Sequence, residues 1–349
     1  MDRILTRVPL EDSYAAAKNI EGYAVRTPLV KLNYRRPDAP QMEIYLKLET
    51  LQPINSFKVR GAANAITSVD PKRLKEEFNN TIVSASAGNM GQGVAYAAKS
   101  LGCECIVVVP DSAPITKLQA MEVDHGARLI KVPFERWWEV LMTGDALQEI
   151  GKKHLFIHPV CDPKVVAGNS TVALEIIEDL PEVDAVLCSW GGGGICSGIG
   201  SVLKNKSGES AKQVDMISVE PATAAPLCLS FNNNKTLTPL EDWQASWVDG
   251  CGGKSVLAPM WELAKDVLSH AVKVELEAIE RSVKVLVEKN RIVAEGAGAC
   301  PVAAALFGPL ENLKDYKKVV AVVCGGCIDT KVLTDILSKD FSSPYILPT

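Results

Sequence analysis

The sequence predicts an α/β protein with two parallel-sheet lobes and flanking helices. Three observations lead to this fold class. Apolar runs of strand length alternate with helical runs, the alternation pauses once and then resumes, and glycine-rich turns follow some of the predicted strands. Strands that alternate with helices are typical of a parallel sheet whose faces are covered by those helices.

The alternation falls into two series, which we interpret as two domains. In the first series we expect strands at residues 81–85, 105–109, 128–132 and 154–157, and helices near residues 91–101, 115–125 and 137–152. The second series follows His158 and Pro159, with helices at 165–180, 195–203, 276–289 and 297–307 and strands at 185–189, 214–220 and 318–323. The pattern therefore predicts a small domain of residues 78–158 and a large domain of residues 1–77 plus 159–349.

The residues before the first series are expected to add to the large domain. We predict a helix near residues 10–20, a strand over residues 43–49 and a charged connection over residues 71–80. Between the strand and the connection lies Lys58, which precedes a helical run of small residues.

Composition excludes several classes of protein. The chain has 349 residues, is 47 % hydrophobic and carries a net charge of −5, so it lacks the basic surface of a nucleic-acid-binding protein. Residues 185–203 are uncharged, but their central glycines and serines favour a buried strand, turn and helix over a membrane span. No apolar signal segment is visible near the first residue, so we expect a cytoplasmic protein with a small-molecule substrate.

The ten cysteines indicate thiols rather than disulfides, because a chain of this size has no need of cross-links. Cys324 and Cys327 form a C-x-x-C pair, which is compatible with redox chemistry or half of a zinc site. No second pair exists, and the four histidines have no ligand spacing. We therefore predict no metal site.

Lys58 is the first candidate for chemistry, because it lies between the apolar residues Phe57 and Val59. A desolvated lysine has a lowered pKa and becomes a nucleophilic amine, which a Schiff-base enzyme requires. The alternative is an ordinary lysine whose stem lies along a helix start while its amine stays in water.

The second candidate is a run of four glycines between a predicted strand and a predicted helix: Gly191, Gly192, Gly193 and Gly194. Glycines permit positive φ, and their N–H groups together with a helix N-terminus suit a phosphate. The alternative is a tight turn in a crowded core. We call residues 191–194 the glycine turn.

Two further stretches follow predicted strands, where ligands gather in α/β sheets. Residues 86–89, which we call the carboxylate loop, are rich in small and amide side chains suited to a carboxylate, although Ser86 and Asn89 would also serve as helix caps. Cys324 is the first residue after the last predicted strand and is followed by two glycines.

Together these stretches resemble the fold-type II pyridoxal-phosphate enzymes, whose fold is that of the tryptophan synthase β subunit. The closest branch is the threonine/serine dehydratase and serine racemase group. The resemblance extends from about residue 27 to residue 329. It rests on motifs that stand in the family's order: Ser56-Phe57-Lys58-Val59-Arg60-Gly61-Ala62, Ser86-Ala87-Gly88-Asn89, the glycine turn and Cys324-Gly325-Gly326.

The resemblance implies roles for these residues. Lys58 would bind pyridoxal 5'-phosphate covalently and later remove the Cα proton of the substrate, and the glycine turn would bind the phosphate. The ring would be contacted by Phe57, Asn89, Glu295 and Cys324, with Asn89 at the phenolic oxygen and Cys324 at the pyridine nitrogen. The substrate carboxylate would lie on Ser86, Ala87, Gly88 and Asn89.

Four residues depart from the family pattern. Ala87 replaces the serine that reprotonates Cα in the racemases, and Met90 replaces a histidine. Cys324 replaces a serine, as in the serine-dehydratase subgroup, and a thiol is a weak donor. Pro226 stands where the racemase cation site has a carboxylate, although Glu220 is present. These departures favour elimination over racemisation.

The resemblance therefore implies a pyridoxal-phosphate-dependent lyase, an ammonia-lyase that dehydrates a 3-hydroxy-α-amino acid such as L-threonine or L-serine to a 2-oxo acid and ammonia. Few residues follow the last strand, as in the short catabolic form, and a homodimer is expected. Alternatives are a β-replacement enzyme, a dehydratase of phenylserine or hydroxyaspartate, and a non-catalytic ligand-binding or redox protein.

Overall fold

The computed structural model describes residues 5–113, 118–144, 150–207, 212–309, 311, 313 and 315–343. The strands of this part are β1 (Leu29–Lys31), β2 (Glu43–Leu48), β3 (Thr81–Ala85), β4 (Glu104–Pro110), β5 (Arg128–Val132), β6 (Leu155–Ile157), β7 (Ala185–Ser189), β8 (Asp215–Pro221), β9 (His270–Val274) and β10 (Lys318–Val323). Its α-helices are α1 (Leu10–Asn19), α2 (Lys58–Thr67), α3 (Pro71–Phe78), α4 (Asn89–Ser100), α5 (Phe134–Thr143), α6 (Pro163–Asp179), α7 (Gly194–Lys206), α8 (Pro226–Asn232), α9 (Ala258–Val267), α10 (Leu276–Val285), α11 (Gly296–Phe307) and α12 (Thr330–Ser338).

The strands form two sheets. Within the described residues, one sheet has the strand order β1-β2-β10-β7-β8-β9 and the other has the order β5-β4-β3-β6. All neighbours are parallel except β1 and β2, which pair antiparallel at one edge. The central strands β3, β7 and β10 are apolar and buried almost throughout, as expected for parallel strands covered on both faces. The predicted α/β fold with two parallel sheets is confirmed.

The four-stranded sheet takes its strands from the first series, and the six-stranded sheet combines strands of the second series with two strands that precede both series. The four-stranded sheet uses residues 81–157, and the six-stranded sheet uses residues 29–48 and 185–323. The exact domain boundaries stay a prediction.

Residues 185–203 form β7, the glycine turn and most of α7. No helix of the described part is long and apolar enough to cross a membrane.

The expected charged connection at residues 71–80 is wrong, because this segment is mainly helix α3. Pro71 is the first helical residue, and the Asp70 carboxylate accepts hydrogen bonds from the N–H groups of Lys72 (2.8 Å) and Arg73 (3.3 Å). The helix ends where Asn79 adopts a left-handed conformation with φ of 52°. An acidic cap followed by proline is a helix-start signal in the sequence itself.

Three predicted helices differ in extent. The helix expected at 276–289 is α10 followed by a wider π turn at Leu286–Asn290. Of the helix expected at 115–125, residues 115–117 lie outside the described part, and the remainder includes a π turn at Ala120–Asp124. The helix expected at 137–152 begins earlier, at Phe134, and α5 ends at Thr143; residues 145–149 lie outside the described part. Sequence reasoning did not predict β1, β9, α8, α9 or α12.

Helix α2 is held where close packing places its first residue, Lys58. A Cβ added to Gly168 of α6 would overlap the carbonyl oxygen of Arg60, and one added to Gly93 of α4 would lie 3.1 Å from that of Lys58. Only glycine lets the neighbouring helices approach α2 this closely. The packing therefore sets the direction from which Lys58 leaves the backbone.

A buried ion network lies beside the same turn. The Arg60 guanidinium donates to both oxygens of Glu49 at 2.8 Å and to Glu175 at 2.6 and 2.9 Å. Lys47 binds Glu175 at 2.5 Å, and Thr27 binds Glu49 at 2.6 Å. Burial raises the pKa of Glu49, but the charge and hydrogen bonds of Arg60, with smaller contributions from Thr27 and Lys47, outweigh it, so the pKa is lowered overall. Glu49 is therefore a carboxylate stabilised by its partners.

We expect Arg60→Met to destabilise the protein, because it leaves Glu49 buried without its main cation. The loss should be about 3–5 kcal/mol in the free energy of unfolding, measured by urea denaturation followed by circular dichroism. The control is Arg73→Met, which removes an exposed pair with Glu77 on α3 and should change little. Equal effects of the two substitutions would contradict the stabilising role of the network.

Candidate active site

A cavity of about 240 Å³ is lined by residues from both halves of the fold. Ser86 follows β3, Pro159 and Val160 follow β6, and Cys324 follows β10, so the lining gathers at the carboxyl ends of parallel strands. This is the edge where α/β sheets bind ligands. A larger depression of about 670 Å³ beside β1 and β2 shares none of these residues.

Lys58 enters the cavity from the first turn of α2. The preceding segment is hydrogen bonded to the end of β10, with the Phe57 N–H donating to the Cys324 carbonyl at 3.1 Å and the Gly326 N–H donating to the Asn55 carbonyl at 2.9 Å. The amine lies 4.9 Å from the centre of the Phe57 ring, and no hydrogen bond or ion pair from it is found within the described residues. Both Phe57 and Lys58 are thus at the predicted site.

Burial lowers the pKa of Lys58 below its ordinary value of 10.5. The neighbouring Cys324, Glu295 and Cys188 act in the opposite direction but do not restore the ordinary value. A lysine with a lowered pKa has more of its amine in the neutral, nucleophilic form at a given pH. The alternative of a lysine with its amine in bulk water does not describe this side chain.

Cys324 lies in the cavity wall and is 4 % exposed. Burial raises the pKa of its thiol well above 9, and the neighbouring Cys188 and Glu295 raise it further. The thiol therefore stays protonated, and it presents a weak, neutral donor to whatever lies in the cavity.

Asn89 and Glu295 face each other across the cavity lining. The side-chain amide of Asn89, the first residue of α4, donates to the two carboxylate oxygens of Glu295 at 3.0 and 3.2 Å. Glu295 is the N-cap residue of α11, and its own N–H donates to the Gly325 carbonyl at 3.0 Å. Sequence reasoning placed both residues near the same ligand but did not predict this hydrogen bond, which orients the amide.

The carboxylate loop also lies at the cavity, with one exception. Ser86 and Gly88 line it, and the Ser86 hydroxyl accepts the Gly88 N–H at 3.3 Å. Ala87 is not among the lining residues of the described part and packs against the core behind the loop. Met90 lines the cavity and is 2 % exposed.

The glycine turn does not line the cavity but lies directly behind it. A Cβ added to Gly191 would overlap the Gly250 carbonyl, and one added to Gly192 would overlap Val160; both contacted residues line the cavity. At Gly193, φ is +91° and an added Cβ would overlap the ring of Trp190. Glycine is therefore required at these three positions.

The glycine turn fits a phosphate. The first bond back into the helix is the Ser197 N–H to the Gly193 carbonyl at 2.9 Å, so the N–H groups before it have no acceptor within α7. Free N–H groups at a helix N-terminus, after a residue of positive φ, are a typical anion cradle.

The Glu220 carboxylate binds the start of α8. Its carboxylate accepts the N–H groups of Leu227 (3.1 Å) and Cys228 (2.7 Å) at the start of α8, and burial raises its pKa to about 8. Within the described residues, no group of three or more histidine, cysteine, aspartate or glutamate side chains is arranged to hold a metal.

Several lining residues were missed by sequence reasoning. Trp137 and Leu141 of α5, Val160, Asp249 and Gly250 all line the cavity. They carry no motif. Trp137 and Leu141 are four residues apart in the sequence, but this spacing is equally typical of a helix that packs on a hydrophobic core.

A partly buried lysine with a lowered pKa and a neutral thiol line one cavity, and a glycine turn suited to phosphate lies directly behind it. This arrangement fits an enzyme that holds a phosphorylated carbonyl cofactor on a lysine. The family model described as pyridoxal-phosphate dependent enzyme matches residues 20–325. The chain belongs to this family, and pyridoxal phosphate is its cofactor. The predicted family and cofactor are confirmed.

Individual relatives cover nearly the whole chain. The catabolic L-threonine dehydratase TdcB of Staphylococcus aureus (strain N315) is 33 % identical over 333 residues, which are 95 % of this chain and 92 % of that protein. Serine racemase from Dictyostelium discoideum is structurally similar with a TM-score of 0.79 and 30 % identity, covering 93 % of this chain and 100 % of that one. The processed form of threonine deaminase isoform 2 from Solanum lycopersicum has a TM-score of 0.78 and 25 % identity, covering 96 % of this chain and 95 % of that one.

We expect Glu295→Gln to lower the pKa of Lys58 further, because the Glu295 carboxylate stabilises the ammonium form. The neutral amine is the species that captures the cofactor. The rate of capture by cofactor-free protein should therefore rise with pH through a midpoint below 10.5, and this midpoint should move to lower pH in the variant. Stopped-flow absorbance over a pH series measures it. Glu262→Gln, an exposed glutamate of α9, is the control, and a midpoint that stays or moves upward in Glu295→Gln would contradict the expectation.

Proposed function

We propose that this chain is an ammonia-lyase that dehydrates a 3-hydroxy-α-amino acid, with L-threonine or L-serine as the first candidates, and releases a 2-oxo acid and ammonia. The observation that carries the proposal is that Lys58, whose pKa burial lowers, lines one cavity with Ser86, Gly88 and Asn89 of the carboxylate loop. The relatives described as threonine dehydratase and threonine deaminase support the dehydratase prediction.

The residues that would hold pyridoxal phosphate are those predicted from the sequence. Lys58 would bind it covalently, the glycine turn would take the phosphate, and Phe57, Asn89, Glu295 and Cys324 would surround the ring. When bound, the cofactor withdraws electrons from the Cα of an amino acid attached to it. The protein supplies the position of that carbon and the groups that move protons around it.

Lys58 is the group proposed to move the Cα proton. Burial lowers the pKa of its amine and so increases the fraction of the neutral form, which would take the proton from Cα. The carboxylate loop holds the substrate carboxylate on its N–H groups and on the Ser86 hydroxyl. The electron pair of the former Cα–H bond would form the Cα–C3 double bond as the C3–O bond breaks, and the hydroxyl would leave as water with one proton, equivalent to the one that Lys58 took from Cα. Addition of water to the released enamine then gives the 2-oxo acid and ammonia.

Two features favour elimination over racemisation. Racemisation needs a proton donor on the face of Cα opposite Lys58, and Ala87 at the position of the racemase serine has none. The protonated thiol of Cys324 is a weak donor, so it favours an unprotonated pyridine nitrogen and a poorer electron sink. A poorer electron sink suits prompt loss of the hydroxyl.

Chiral chromatography after incubation with L-serine should show 2-oxo acid and no D-serine.

The remaining alternatives predict different products. A β-replacement enzyme would trap the enamine with a second nucleophile, so an added thiol would appear in a substituted amino acid. A redox protein would depend on Cys324 and Cys327, so its function would be lost in Cys327→Ser. We expect no substituted amino acid and unchanged lyase activity in that variant.

We expect Lys58→Ala to lose both the visible absorbance of the lysine-bound cofactor and the formation of 2-oxo acid from L-threonine and L-serine, because the described cavity lining contains no second lysine to serve as base and covalent link. A coupled dehydrogenase assay and an absorbance spectrum measure the two effects. Lys72→Ala on the exposed start of α3 is the control and should keep both. Wild-type protein that shows the absorbance but forms no 2-oxo acid would refute the proposed reaction.

The homodimer and the cytoplasmic location stay predictions. Sedimentation equilibrium of the purified protein with bound cofactor tests the first, and a mass near 37.6 kDa, that of one chain, would refute it.

A further inference from the structure

One side of the cavity is mainly apolar, and we call it the apolar wall: Met90, Trp137, Leu141, Pro159 and Val160. Its one side-chain N–H group, that of the Trp137 indole, is buried and has no hydrogen-bond partner within the described residues. Trp137 and Leu141 are four residues apart on α5, so both point from the same face of that helix. Helix α5 begins directly after β5, which places its first turns at the carboxyl edge of the four-stranded sheet. Three separate elements of this half of the fold, α4 with Met90, α5 and the turn after β6, therefore contribute to one surface.

The turn after β6 is held rigidly. The Nδ1 atom of His158 accepts the N–H groups of Val160 at 3.0 Å and Cys161 at 2.8 Å. Burial lowers the pKa of His158 to about 4, so the ring is neutral at physiological pH. The histidine beside the apolar wall thus fixes Val160 in place and adds no positive charge.

The charges of the cavity are unfavourable for an acidic side chain. Asp249 and Glu295 supply carboxylates to its lining, and Lys58 is the single lysine or arginine in the lining within the described residues. In the proposed reaction Lys58 is engaged at the amino group and at Cα. A second carboxylate on the substrate would enter a small, partly buried space in which the described lining offers no further lysine or arginine to pair with it.

In the proposed reaction Lys58 acts at the amino group and Cα, and the carboxylate loop holds the carboxylate. Gln92, Asp249 and Cys327 are polar lining residues to which no role is assigned. The substituent on C3 is the part of a 3-hydroxy amino acid that varies, and the apolar wall is the largest group of lining residues left for it.

We infer that Trp137 is a specificity-determining residue and that the apolar wall selects 3-hydroxy-α-amino acids with an apolar substituent on C3, so that L-threonine is preferred to L-serine and 3-hydroxyaspartate is excluded. This inference rests on the proposed function. A methyl group placed against an apolar wall contributes about tenfold to kcat/KM in typical enzyme pockets.

The experiment compares kcat/KM for L-serine, L-threonine and L-threo-3-hydroxyaspartate in the holoenzyme and in three variants. Trp137→Ala should reduce the ratio of kcat/KM for threonine to that for serine about tenfold. The change should come from a lower kcat/KM for threonine, with the value for serine unchanged. Trp137→Arg should raise the hydroxyaspartate-to-threonine ratio at least tenfold, because it adds a cation to the wall. Trp138→Ala, the neighbour on α5 that is 41 % exposed, is the matched control and should leave both ratios unchanged.

A second readout does not depend on turnover. L-Alanine and L-2-aminobutyrate lack the hydroxyl and differ by the same methyl group, so calorimetric titration of the holoenzyme measures the wall directly. The wild type should bind 2-aminobutyrate more tightly than alanine, and Trp137→Ala should lose that difference.

The outcomes separate the two claims. If no substrate gives a 2-oxo acid but the protein still binds 2-aminobutyrate more tightly than alanine, the proposed reaction is refuted. The selection of apolar substituents by the apolar wall is then still supported. The inference would be overturned if the enzyme dehydrates serine and threonine but neither Trp137 substitution changes the kcat/KM ratios or the binding preference for 2-aminobutyrate. The proposed reaction would then stand. Efficient dehydration of hydroxyaspartate by the wild type would also overturn the inference.

Discussion

The site depends on the short extension of β10 formed by residues 324–326. This extension accepts or donates backbone hydrogen bonds on two sides, to Asn55 and Phe57 before α2 and to Glu295 before α11. Glycines on both sides allow this close packing. A Cβ on Gly325 of the extension would overlap the Glu295 carboxylate, and a Cβ on Gly298 of α11 would lie 2.5 Å from the Gly325 carbonyl oxygen. A few backbone hydrogen bonds thus bring Lys58, Cys324 and Glu295 together from distant parts of the chain.

Burial then decides the protonation states at this junction. Desolvation favours the neutral forms of both the Lys58 amine and the Cys324 thiol, so the cavity holds a base and a weak donor side by side. Glu295 remains as the nearby carboxylate and is bound by the Asn89 amide from the other half of the fold. The same low-polarity surroundings that make the amine reactive also disfavour an additional charge on the substrate.

Many of the strands and several of the site residues were predictable because local sequence patterns indicate them. Strands β3, β7 and β10 lie at the residues expected from their apolar runs, since parallel strands buried on both faces need little tertiary information. Lys58, Asn89, Glu295 and Cys324 meet as their motifs imply. The helix at 71–80 was missed although Asp70 and Pro71 signal its start, which shows that high charge alone is a poor indicator of a loop.

The sequence by itself determined the fold class, the family and the cofactor, because these depend on periodicity and on motifs in which only lysine or glycine serves. Tertiary structure alone decided what surrounds the motifs. The Asn89–Glu295 hydrogen bond, the capping of α8 by Glu220 and the apolar wall with Trp137 join residues from separate elements of the fold. No local pattern marks such residues, because their role arises from the packing of one element against another.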